Sequence, residues 1–376
     1  MPPRRKKVKQ DNPRPNLDAT PSNVPNLEKS RPAATSVSKL GTGLSALPVE
    51  LRDMIFEEVF QSLRDVTRED VLRNSRSLPT SYAEKRDMLR SLSQTCRSLR
   101  PQFIPLLWEN VEACVTRKEN GTWYKELGEK LENLSDGLVK SPELAQHVRT
   151  LSVSLTKYQT NSVLPEFAHC LKHLPHLHTL QIMHANSQIT TPLKNAFQGN
   201  TYPQIRTIAL PDCAHNILRS CPDVIEVICN EGDGGKLVTS IGAACKKVEV
   251  VQDIWPQDGI AKRLVKAAPQ LREIGLNCCA CRPSGPNWRD VSPEEIRNLS
   301  AFNNLAVLSI TVGADDADSS GLAATRQEHI EAARETLKKT KFAGPKRLLV
   351  NYNSHDRVND FSLGHWKIVR TETFNM

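Results

Sequence analysis

No run of apolar residues in this sequence is long enough to cross a membrane, so a helical membrane span is not expected. The N-terminus is basic and proline-rich and lacks the apolar core of a secretory signal, so export is not expected either. Its ten cysteines then read as thiols in a reducing compartment, not as a disulfide framework. The Asn120-Gly121-Thr122 triplet is accordingly not a glycosylation site. A folded surface rich in positive charge is missing too. Residues 1–40 hold nine Lys/Arg against three Asp/Glu, a net of +6 out of +8, which leaves about +2 for the remaining residues. A nucleic-acid-binding domain would carry that charge on its own face, so neither nucleic acid nor membrane is an expected partner.

Signatures of chemistry are equally sparse. Cys278-x-x-Cys281 has zinc-ligand spacing, but a tetrahedral site takes four ligands and no second pair stands in the sequence. Cys213, Cys221, Cys229 and Cys245 fall at strand and helix ends, where a thiol acts as a small hydrophobe. Gly232-Asp233-Gly234-Gly235 is not followed by Gly-Lys-Ser/Thr and reads as a turn. Asp315-Asp316-x-Asp318 lacks the glycine and the distal glutamate of a calcium loop. His169 and His173 lie one helical turn apart but want a third ligand, and read as a polar helix edge. No catalytic residue, metal or cofactor is expected.

What is present begins at residues 1–42, rich in Pro, Asn, Ser and charge, with few apolar residues and no period. Such a segment cannot bury enough surface to offset its ordering entropy, so a disordered tail is expected. Within it, Arg4, Arg5, Lys6, Lys7 and Lys9 resemble a nuclear-import signal, which makes nucleus and/or cytoplasm the expected location. Next, Leu51, Met54, Ile55 and Val59 recur at three- and four-residue steps behind Pro48 and Glu50, the pattern of an amphipathic helix with a favourable start. A second helical pattern runs from Glu84 to Arg100, with Leu89, Leu92, Cys96 and Leu99 on one face, and is expected to stop at Pro101. A third short segment holds Phe103, Leu106, Leu107, Trp108 and Val111. Three short helices bury little by themselves, so this bundle is expected to share its apolar surface.

Leu47-Pro48-x-Glu50-Leu51, Ile55-Phe56, Leu92-Ser93-x-x-Cys96-Arg97 and Leu107-Trp108 together resemble an F-box, the adaptor-binding element of SCF-type ubiquitin ligases. The resemblance covers about a fifth of the chain. It implies that Leu47, Pro48, Leu51, Ile55, Phe56, Leu92, Cys96 and Leu99 pack on a Skp-family adaptor, and through it on a cullin scaffold. Leu107 and Trp108 would start the link to the C-terminal part of the chain. Two departures stand out: a long charged insertion, about residues 64–87, separates the first two helices, and Leu99 stands where the family often has Trp. An ordinary helical subdomain with a chance Leu-Pro start is the plain alternative.

Residues 116–144 read as a connecting helical segment in which Trp123, Leu127, Leu131 and Leu134 keep helical spacing, closed by Ser141-Pro142. Then one formula recurs, apolar-x-x-apolar-x-apolar. It is written by Val148/Leu151/Val153, Leu177/Leu180/Ile182, Ile205/Ile208/Leu210, Val224/Val227/Cys229, Leu271/Ile274/Leu276 and Leu305/Leu308/Ile310. A weaker copy at Val248/Val251 meets Asp253 where its last apolar residue should stand. Starts fall 19 to 34 residues apart with helical patterns between. The alternating tail of each strand buries one side, and each helix needs neighbouring units to cover it. This resembles a degenerate leucine-rich-repeat array, with Arg347–Tyr352 and Trp366–Thr371 as closing strands. Its consensus wants an inward hydrogen-bonding side chain three residues past the last strand apolar, where Thr156, Cys213 and Cys279 stand and Gly232, Pro256 and Gly313 do not.

The expected fold is therefore α/β: a basic tail (1–42), an F-box-like all-α bundle (43–115), a connector (116–144) and a repeat-like solenoid with a C-terminal cap (145–376). The expected function is substrate recognition for an SCF-type ligase, a non-catalytic role. A candidate recognition surface for an unidentified protein substrate runs along exposed strand positions Arg149, Thr150, Ser152, His178, Thr179, Gln181, Arg206, Thr207, Arg272 and Glu273, if the register is right. A repeat scaffold with no ligase role, and an α/β enzyme with a strand-end crevice, remain open.

Overall fold

The computed structural model describes residues 47–61, 63, 66, 78, 80–95, 97, 99–116, 122–257, 259–278, 291–314, 320–355 and 366–376. By contacts the chain divides into Met1–Ala46 and Leu47–Met376, and the first unit, with the basic tail and its import-like cluster, lies outside the described residues.

The second unit is mixed α/β, with one ten-stranded sheet whose strands lie in sequence order. They are β1 (Asn110–Ala113), β2 (Thr150–Leu155), β3 (Thr179–Ala185), β4 (Thr207–Pro211), β5 (Glu226–Glu231), β6 (Val250–Ile254), β7 (Glu273–Asn277), β8 (Val307–Gly313), β9 (Arg347–His355) and β10 (Trp366–Asn375). The first nine pair in parallel and β10 returns antiparallel to β9. Among the described strands the order never reverses, so the sheet has no switch point of the kind that opens a crevice in doubly wound folds.

Three helices precede the sheet: α1 (Val49–Gln61), α2 (Glu84–Thr95) and α3 (Arg100–Glu109). Pro101 does not end a helix but opens α3, where a missing N–H costs nothing. Val111, grouped by sequence with the third helical segment, lies in β1. The connector is the crossover from β1 to β2, made of α4 (Trp123–Lys140) and α5 (Pro142–Ala145). Later crossovers carry α6 (Thr160–Lys172), α7 (Thr190–Phe197), α8 (Gly235–Ala244), α9 (Ile260–Ala267), α10 (Pro293–Arg297) and α11 (Ser320–Lys339), while β4 to β5 is bridged by two 3-10 turns.

The recurring formula is visible in space. Its first apolar residue (Val148, Leu177, Ile205, Val224, Val248, Leu271, Leu305) is fully buried, and the strand begins two residues later. The carbonyl of the residue after it accepts two N–H groups from the next unit: Arg149 from His178 and Thr179, His178 from Arg206 and Thr207, Arg206 from Ile225 and Glu226, and so on to Arg272. The second and third apolar residues enter one continuous core with the helices, for example Leu151 and Val153 with Phe167 and Leu171. In β6, Asp253 takes a left-handed backbone (φ +59°), and the bulge delivers Ile254 to the core position that the sequence left vacant.

Candidate functional site

The three N-terminal helices share a small core of their own: Phe56, Leu89, Leu99 and Phe103, with Leu92 and Leu107 against it. Phe56 meets Phe103 edge to face at 4.7 Å. Of the adaptor candidates, Phe56 and Leu99 are therefore spent inside the module, Leu92 and Leu107 are half-buried on it, and Trp108 packs on the main core. Leu47 is half-buried, Pro48 is exposed, and Cys96 lies outside the described residues.

Several apolar side chains of α1 are largely exposed. Leu51 is 48% exposed, Met54 66%, Ile55 42%, with Val49, Val59 and Leu106 of α3 comparably bare. Covering the exposed parts of these six side chains is worth on the order of 1 kcal/mol apiece. A soluble surface seldom keeps such a stripe without a partner. Val49, Met54, Val59 and Leu106 were absent from the expected adaptor set, although Met54 and Val59 stand in the same helical stripe as Leu51 and Ile55.

The sheet face turned away from the helices carries the proposed recognition residues in two different settings. Arg149, His178, Arg206 and Arg272 immediately precede their strands, with Thr150, Thr179, Thr207 and Glu273 opening them, and all are exposed or half-buried along one rim. His178 Nδ1 lies 2.9 Å from Thr179 Oγ1, Arg206 donates to the Asp223 carbonyl at 3.1 Å, and Arg272 stands 3.8 Å from Glu249. Lys247, 2.6 Å from Asp223, holds that carboxyl below the usual carboxylate range, helped by Arg206. Ser152 and Gln181, one row further in, are buried, contrary to expectation. The Ser152 hydroxyl donates to Gln181 Oε1 at 2.8 Å.

The same face carries a cover that the sequence did not announce. Gln181, Ala209 and Ile228 are successive register partners, and Met183, Ala209 and Ile228 form an apolar strip across β3, β4 and β5. On that strip sit Leu78, Tyr82 and Ala83, together with Cys114 and Val115 and with Val66 half-buried beside them. Leu78, Tyr82, Ala83 and Val66 belong to the insertion between the first two helices. Leu78 is bonded into the sheet margin, its N–H to the Cys114 carbonyl (2.9 Å) and its carbonyl to the Thr116 N–H (3.1 Å). Arg86 of α2 then donates to the Glu112 carbonyl of β1 at 3.3 Å and lies 3.8 Å from its carboxylate.

A cleft of about 310 Å³ opens where β2 and β3 end, lined by Trp123, Tyr124, Thr156, Lys157, His184 and Asn186. Trp123 stands edge-on to His184 at 5.8 Å, and Lys157 lies 5.6 Å from the Tyr124 ring centre. His184 Nδ1 is 3.6 Å from Glu231. The Thr156 hydroxyl is committed to the Tyr124 carbonyl (2.8 Å), and the cleft offers aromatic walls and a cation. Nothing local signals it, because Trp123 reads in the sequence as a helix-core position.

The other singled-out motifs have structural partners. Thr156 and Cys213, at the expected inward positions, both donate to backbone carbonyls of the preceding unit, Cys213 to Ala185 at 3.1 Å. Cys279 and Cys281 lie outside the described residues, as does the acidic run 315–318. Gly232 (φ +95°) and Gly234 (φ +82°) lead into α8, whose first N–H groups are capped by a carboxylate of the same chain, Asp212 Oδ1, 2.9 Å from Lys236 N. A Cβ on Gly232 would strike Asp212, so the glycine makes room for that cap. His169 and His173 meet edge to face at 4.5 Å, and no group of three metal-ligating side chains occurs among the described residues. Among those residues no helix is long and apolar enough to cross a membrane. No protein-family model and no curated protein sequence matches the chain.

Proposed function

We propose that the protein is a substrate-recognition subunit of an SCF-type ubiquitin ligase. In this reading α1 to α3 are an F-box-like module that docks on a Skp-family adaptor, and the stacked strand–helix units are a degenerate leucine-rich-repeat array that holds a protein substrate. The observation that carries it is the largely exposed apolar stripe of α1, Leu51, Met54 and Ile55, beside a module core already closed by Phe56, Leu99 and Phe103. Strands in sequence order, with each unit's carbonyl taking two N–H groups from the next, support the repeat-array half. Rate would come from effective concentration near a charged conjugating enzyme, not from side-chain chemistry.

The substrate surface moves relative to the sequence expectation. Ser152 and Gln181 are buried, so recognition falls to the rim of Arg149, Thr150, His178, Thr179, Arg206, Thr207, Arg272 and Glu273. The test is co-purification of the full chain with a Skp-family adaptor, beside a Leu51→Asp/Ile55→Asp variant. Both positions are exposed, so the variant should keep the circular dichroism of wild type and lose the adaptor. Failure of the wild type to bind at micromolar adaptor, or equal binding by the variant, would sink the ligase reading and leave a repeat scaffold.

A further inference from the structure

The sheet ends at β10, which has a single neighbour among the described strands. Val369, Arg370, Thr371, Thr373 and Asn375 are exposed. A bare strand edge is a template for another strand, and proteins blunt it with charge, proline or a bulge. Here the charges are matched. Arg370 and Glu372 sit two residues apart about Thr371, with Ile368 and Phe374 outside them.

The hydrogen-bond phase fixes which groups are available. Met376 and Lys346 exchange both of their backbone bonds, at 2.9 and 3.4 Å. β10 shifts register against β9 between Ile368 and Arg370; from Arg370 onward the phase alternates, so Phe374, Glu372 and Arg370 also face β9, while the N–H and C=O of Thr371, Thr373 and Asn375 point outward. An antiparallel copy of the same strand can use those groups in registers that differ by the position of the twofold axis. An axis at Arg370 sets arginine against arginine, and one at Glu372 sets glutamate against glutamate. An axis at Thr373 sets Glu372 against Phe374. Only an axis at Thr371 puts Arg370 opposite Glu372 of the second copy, twice. Because Arg370 already lies 3.0 Å from Glu372 of its own strand, the four groups then alternate in sign around a square.

We infer that β10 is a homodimerisation edge, on which a second copy of this chain pairs antiparallel about Thr371 to continue the sheet across both molecules. This interface is independent of the adaptor reading, since it uses neither α1 nor the rim. Such a contact is isologous and closes on itself, so it gives dimers and not filaments. Arg370 stays anchored while it pairs, with its guanidinium 4.0 Å from the Tyr352 ring centre. Arg334 supports Phe374 in the same way at 4.3 Å.

The experiment is sedimentation velocity of the full chain across the micromolar range. Wild type should sediment as a dimer that dissociates on dilution. Arg370→Glu should raise the dissociation constant at least about tenfold, because two symmetry-related pairs change from attraction to repulsion together. The exchanged pair Arg370→Glu/Glu372→Arg should restore the dimer. Thr371→Pro removes an N–H that faces away from β9, so it should leave circular dichroism unchanged and give monomers. In wild type, amide exchange at Thr371 and Thr373 should slow with rising protein concentration. A wild type that is monomeric throughout, a dimer indifferent to Thr371→Pro, or a charge exchange that does not restore association would overturn the assignment.

Discussion

Proline 211 should leave a hole in the ladder between β3 and β4, and Asn230 fills it. Thr179 and Gln181 pair with Thr207 and Ala209, and the Thr207 N–H donates to the His178 carbonyl. The β3–β4 pairing runs to Gln181 and Ala209; continued at the same phase, the nitrogen of residue 211 would meet the Ile182 carbonyl, and a proline nitrogen has no hydrogen to give. Asn230 on β5 reaches across β4 instead. Its Nδ2 donates to the Ile182 carbonyl at 2.7 Å and to the Met183 carbonyl at 3.3 Å. The site is buried, with Asn230 only 6% exposed, so no bulk water replaces the donor.

Asn230→Ala should therefore cost about 1–3 kcal/mol, the penalty of stranding a buried acceptor, and more than the loss of one ordinary hydrogen bond. The sharper form is a double-mutant cycle in urea unfolding. Pro211→Ala restores an N–H at the ladder position, so Asn230→Ala should cost at least about 1 kcal/mol less in that background than in wild type. If Asn230→Ala costs the same in both backgrounds, the two residues are not solving one problem and the account is wrong.

Two further outcomes are expected from buried groups. A Cβ on Gly275 would overlap Gln252 Oε1 and press on the Ser309 hydroxyl, and Gln252 also donates to Glu273 at 2.6 Å. Gly275→Ala should cost roughly 1–3 kcal/mol in urea unfolding, with part of the loss recovered by adding Gln252→Ala; no loss would show that the side chain has slack. Burial pushes the Cys170 and Cys245 thiols from 9.0 up to about 12. The unfolded chain ionises first, so their contribution is complete below about pH 9 and declines as pH rises from there toward 12, by at most about 1.4 kcal/mol per pH unit for each thiol. A Cys170→Ala/Cys245→Ala variant should have a shallower stability profile between pH 9 and 11, and an unchanged slope would refute the assignment.

How far the sequence could be read depended on whether a residue's neighbour was close along the chain. Val148, Leu151 and Val153 declare a strand by themselves, because the buried first residue and the alternating tail are local requirements. The formula consequently located the strands of its units, and even its apparent failure at Asp253 marks the bulge that returns Ile254 to the core. β1 escaped because Val111 and Ala113 come directly after a helix and offer only two apolar positions, too few to separate a strand from a helical end. Alternation alone also could not say whether the second face was wet. The hydroxyl of Ser152 is polar and correctly placed on that face, yet it is buried and bonded to Gln181 of the next strand.

The cover of Leu78, Tyr82 and Ala83 also changes the meaning of the insertion. Read locally, a long charged stretch between α1 and α2 weakens the F-box-like pattern, since nothing in it sets the packing angle of the two helices. In space, Leu78, Tyr82 and Ala83 are held on β3 to β5 and Arg86 ties α2 to β1, so the insertion fastens the helical module to the sheet. A module fixed this way keeps its exposed α1 stripe at a constant distance from the rim. On the proposed ligase reading, an adaptor on α1 and a substrate on the rim would need that constancy, because effective concentration falls once the connection is free to swing.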